Sequence, residues 1–84
     1  MAFDESLRRR VKAVCFARGA SVTAVSGYCN FALQVEKTRK RVKGRDLQLV
    51  VGALATRYVG LGLERKVLEA IRTQVFGVRA PTAQ

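Results

Sequence analysis

Six of the sixteen Lys and Arg residues in this 84-residue chain fall within residues 36–45: Lys37, Arg39, Lys40, Arg41, Lys43 and Arg45. One acid, Glu36, accompanies them, so these ten residues carry +5 of the chain's net +10. Fixed cations at this density bind polyanions. A lysine neutralises a phosphate as a point charge, and an arginine offers a planar fork to a phosphate or a guanine edge. Gln34 and Thr38 lie one helical turn apart, and Arg41 follows Gln34 on the same side after seven residues. Gln and Arg are the side chains that read adenine and guanine through paired bonds. Asn30 stands where such a helix would begin, as a cap or as a further phosphate contact. A second cation group, Arg8, Arg9 and Arg10, sits near the N-terminus. A basic run can simply solvate a helix face. Solvated faces mix signs, however, and residues 37–45 do not.

Other chemistries find little support. The chain has no His and two Cys, which excludes a Cys/His zinc site within one chain and removes the commonest general base. The six acids are scattered, with no paired carboxylates and no Ser-His or Cys-His set. Gly60 and Gly62 lack the flanking strand and the Lys-Ser/Thr of a phosphate loop. We therefore expect no enzyme, no cofactor and no metal. No apolar run reaches the ~18–20 residues of a membrane span, and residues 1–10 lack the apolar stretch of a secretory signal. The expectation is a cytoplasmic, nucleoid-associated protein that avoids membranes. Cys15 and Cys29 then read as small buried apolar residues rather than a disulfide.

The elements that would hold the cations follow from spacing. Asp4 is a good N-cap for a first helix, with Glu5 adding negative charge at its positive end. Leu7, Val11, Val14 and Cys15 mark one apolar face, and Gly19 stops the helix. Ser21 caps a short second helix with Val22, Val25 and Cys29 inward. The stripe then changes phase to Phe31, Val35, Thr38 and Val42, which predicts a break near residues 28–30 and a third helix from Asn30. Gly44 would end it and Asp46 would cap the next. Residues 46–59 are so apolar, from Leu47 to Val59, that the predicted helix must be buried in the core or in a subunit interface. Gly60, Leu61 and Gly62 form a turn. A last helix over 63–76 points Val67, Leu68, Ile71 and Val75 inward, with Glu64, Arg65, Lys66, Glu69 and Arg72 facing water. Tyr28 and Tyr58 read as core aromatics. Residues 78–84, with the sole proline Pro81, read as a flexible tail.

The stretch FDESLRRRVKAVCFARGASVTAVSGYCNFALQVEKTRKRVKG resembles the N-terminal helix-turn-helix of small repressors and transposase-type DNA-binding domains. A basic first helix, a Gly-Ala-Ser link, a supporting helix and a recognition helix follow in that order. Ala24 or Thr23 would take the small packing position, with Gly27 near the turn. The resemblance implies an all-α single domain over 1–77, of four to five short helices. Its DNA-binding half would be 3–44, and a helix pair within 46–77 would complete the core and dimerise. It also implies a small transcriptional regulator that binds double-stranded DNA sequence-specifically as a homodimer or larger homo-oligomer. The site would comprise Asn30, Gln34, Lys37, Thr38, Arg39, Lys40, Arg41, Lys43 and Arg45, with Arg8, Arg9 and Arg10 on the backbone. The same charge would equally serve a structural protein that packages nucleic acid without reading it.

Overall fold

The computed structural model describes residues 5–79. Helix α1 spans Glu5–Ala17, α2 Val25–Arg39, α3 Gly44–Gly60 and α4 Arg65–Ala70. A 3₁₀ turn, Val22–Ala24, leads into α2, and a π-helical turn, Ile71–Val75, continues α4. There is no strand among the described residues, so the fold is all-α.

The first helix follows its pattern. Leu7, Val11, Val14 and Cys15 are its buried residues, and the chain leaves it through Gly19 at φ +75°, where a side chain would be strained. Its proposed cap, Asp4, lies outside the described residues. Ser21 does cap the next turn, its Oγ accepting the Ala24 N–H at 3.3 Å.

Helix α2 departs from expectation. No break occurs near residues 28–30, and one helix runs from Val25 to Arg39. Both apolar phases are buried at once, Val25, Cys29 and Ala32 together with Tyr28, Phe31 and Val35, although Val22, expected inward, is 78% exposed. The reason is position. α2 packs against α1 and α3, and also touches α4 and the π turn. A central helix needs a wide apolar arc, and a shift of stripe along it is no signal of a break. Gly27 belongs to the same packing, because the Leu63 side chain comes within 3.2 Å of where its Cβ would stand.

Tyrosine hydroxyls tie the other helices to α2. Tyr58 stacks edge-on to Phe31, centroids 5.4 Å apart, and donates its hydroxyl to Asn30 Oδ1 at 2.5 Å. The Tyr28 hydroxyl accepts the Glu64 N–H at 2.9 Å, which satisfies one free donor at the start of α4. Asn30 is therefore an interior helix residue bonded sideways to α3, not a cap.

α3 begins at Gly44, two residues before Asp46, which sits in its first turn. Residues 47–51, whose β-branched content would also suit a short strand, lie within this helix. The Gly60–Leu61–Gly62 turn forms as expected, with Leu63 N–H returning to the Tyr58 carbonyl and Gly62 at φ +103°.

Arg72 corrects the sequence reading most sharply. It does not face water: it is 3% exposed. Its Nη2 donates to the carbonyls of Gln48 at 3.0 Å and Arg79 at 3.3 Å. Its Nη1 meets Glu69 Oε2 at 3.3 Å. Val78, placed in the tail by sequence, is buried, and its N–H bonds the Arg72 carbonyl. The chain thus stays in contact with the core through Arg79, and Ala80 to Gln84 lie outside the described residues.

The two cysteines are free and buried. Burial, and then the neighbouring Cys29, push the Cys15 thiol up to about 11. Burial also raises Cys29, against the opposing pull of Arg8 and Lys12. Both behave as small apolar core residues.

Candidate nucleic-acid interface

The basic run does not form a helix of its own. It begins on the last turns of α2, passes through a turn at residues 40–43, and ends on the first turn of α3. α2 stops at Arg39, and Val42 N–H closes the end by bonding the Thr38 carbonyl at 2.9 Å. Lys43 Nζ caps the exposed Arg39 carbonyl at 3.0 Å. Gly44 turns the backbone at φ +61°. Gly44, expected to end the basic helix, instead starts α3, with four residues between it and the last residue of α2.

Lys37, Lys40, Arg41 and Arg45 are exposed, and none has an ion-pair or side-chain hydrogen-bond partner among the described residues. They project around one helix end and the turn after it. Lys37, Lys40 and Arg41, at the C-terminal end of α2, complement the negative end of that helix dipole, whereas Arg45 sits at the positive end of α3.

Other members of the expected set are engaged within the chain. Arg39 pairs with Glu36 at 3.3 Å and lies over the Phe76 ring, 5.6 Å from its centre. Arg10 donates to the Val75 carbonyl at 2.7 Å. Arg10 and Arg39 share a depression of about 260 Å³ with Leu7, Glu36 and Phe76. These two arginines fasten the π turn to α1 and α2. The Thr38 hydroxyl donates back to the Gln34 carbonyl at 2.8 Å, and the Asn30 side-chain Oδ1 accepts from the Tyr58 hydroxyl. Gln34 is half-buried, on the same helix face as Asn30 and Lys37. Arg8 and Arg9 line a separate crevice along α1 with Glu5 and Lys12. Arg8 is half-buried and Arg9 exposed.

The structure therefore gathers Lys37, Lys40, Arg41, Lys43 and Arg45 at one end and leaves Asn30 farther back along α2. Sequence reasoning missed Phe76 as the platform under Arg39 and the inward course of Arg10. Neither shows in local spacing, because both partners lie on the far end of the chain.

No family model, no curated protein and no solved structure matches this chain. No helix among the described residues is long and apolar enough to cross a membrane.

Proposed function

We propose that this chain binds double-stranded DNA through residues 37–45, as a small regulator of the helix-turn-helix kind, in the cytoplasm and at the nucleoid. One observation carries the reading: Lys37, Lys40, Arg41 and Arg45 are exposed around one turn with no acidic partner among the described residues. In this reading Lys37, Lys40, Lys43 and Arg45 contact phosphates, while Gln34 and Arg41 reach base edges. Arg9 adds a backbone contact from α1.

A second reading has its own support. The Thr38 hydroxyl and the Asn30 side-chain Oδ1 are already occupied within the chain, which leaves few groups for reading bases. The same surface then coats duplex DNA without sequence preference, as a packaging protein does.

Fluorescence anisotropy with a random duplex and with duplexes selected from a genomic library, at two salt concentrations, tests both. About five phosphate contacts per chain give a slope of log K against log salt of roughly −4 to −5. Lys40→Ala weakens every duplex alike. Arg41→Ala or Gln34→Ala relaxes one base position by roughly 1–3 kcal/mol if the chain reads sequence. A selected-to-random ratio near one supports coating, and an absence of salt-dependent binding overturns both readings.

A further inference from the structure

Helix α3 has an outward face that nothing among the described residues covers. Its core side is held by Val51, Ala55 and Tyr58. On the opposite side Leu49 is 52% exposed and Val50 38%, and Ala53 is exposed as well. Exposed Asp46 and Arg57 bracket this apolar stretch. Asp46, Val50, Ala53 and Arg57 recur at steps of four, three and four. That is the spacing of the seam along which two helices pair.

The two charges make the seam self-complementary in one orientation only. A two-fold axis between positions 51 and 52 sets residue 46 of one copy against residue 57 of the other, and 50 against 53. Asp46 then meets Arg57 of the second copy, twice, with Val50 on Ala53 between them. A parallel pairing would instead set Asp46 on Asp46 and Arg57 on Arg57. Neither residue has an ion-pair partner among the described residues, whereas Glu36, Glu64 and Glu69 are all paired within the chain.

We propose that a second copy of this chain docks antiparallel on α3 through Asp46, Val50, Ala53 and Arg57. Leu49 flanks the seam and is covered by the partner helix. One helix-to-helix contact is smaller than the ~1,600 Å² of a standard interface, so the dimer is a weak one that forms at micromolar concentration or above. This pairing stands without any nucleic acid. Where the DNA reading also holds, it has a geometric consequence. Residue 43 lies about 13 Å along α3 from the axis, so the two basic turns stand roughly 27 Å apart. Spanning the ~34 Å between successive major grooves would then fall to the long side chains of the two basic turns.

Sedimentation equilibrium of the full chain without DNA, over one to several hundred micromolar, tests the pairing. The expected result is a monomer–dimer equilibrium that Ala53→Glu shifts at least tenfold toward monomer. Asp46→Arg and Arg57→Asp each weaken self-association, because each places like charges together at both ends of the seam. Mixing those two single variants restores a dimer containing one of each, since both ends then carry opposite charges. Circular dichroism of each variant shows retained helix, which separates lost pairing from lost folding. A chain that stays monomeric throughout overturns the proposal. So does a dimer indifferent to both charge reversals, which would place the interface elsewhere. DNA binding measured in parallel, with loss of dimer but retained salt-dependent binding, keeps the two readings distinguishable.

Discussion

Two regions of this molecule hold arginine in opposite ways. At the turn after α2, Lys40 and Arg41 stand in water with no side-chain partner among the described residues. At the end of α4, Arg72 is buried and its terminal nitrogens reach two backbone carbonyls and a carboxylate. The difference lies in surroundings rather than residue type. A buried guanidinium is tolerated only where acceptors surround it. Here they come from the first turn or so of α3, the segment after the π turn, and Glu69. One side-chain nitrogen, Nε, still lacks a partner. The exposed cations meet no such demand and are free to take an external anion.

Breaking the buried side of this contrast has the largest effect. Arg72→Leu leaves the Gln48 and Arg79 carbonyls unpaired and costs roughly 2–3 kcal/mol. Urea unfolding should show it as a lower midpoint. If stability is unchanged, the clamp is not structural. Breaking the exposed side separates binding from folding. Joint replacement of Lys37, Lys40, Arg41 and Arg45 by Ala should lower duplex affinity about 100-fold at moderate salt and flatten the salt slope by about 3. Stability should stay within about 0.5 kcal/mol, as for other surface changes. Unchanged affinity would remove residues 37–45 from the interface.

The thiols sharpen the contrast, since a buried group without acceptors stays neutral. The folded chain holds the Cys15 thiol up to about 11, above the ordinary 9.0 of a solvated thiol. Unfolding therefore releases a proton between those values, and stability falls as pH rises from 9 toward 11. Cys15→Ala should lose less stability than the parent across that window, followed by thermal melts. Parallel melting curves would show that Cys15 does not contribute. The smallest effect is at Gly52. A Cβ there would stand 3.7 Å from Arg72 Nη1, an ordinary contact. Gly52→Ala should raise stability by roughly 0.5–1 kcal/mol through helix propensity, and a loss instead would mean the guanidinium is more crowded than its distances indicate.

Much of the scaffold was legible in local patterns. The α1 stripe, the Ser21 cap, the glycine turns and the inward residues of the last helix follow from periods and caps that act within a few residues. Helix α2 was not legible in the same way. Its two stripes suggested two helices because an amphipathic pattern assumes one buried face, while packing gave this helix several neighbours. The basic cluster was visible as a cluster. That Arg39 and Arg10 turn to Phe76 and Val75 was not, since those partners are 37 and 65 residues away in sequence.

The chain by itself determined an all-α fold, the burial of both cysteines and the concentration of charge at residues 36–45. These depend on composition and on contacts between neighbours in sequence. Only the tertiary structure decided which cations are free. Whether an arginine meets water or a ring of carbonyls depends on what other helices place beside it. The same holds for α3, whose apolar residues divide into a core face and an uncovered face only once α2 and α4 have taken their places.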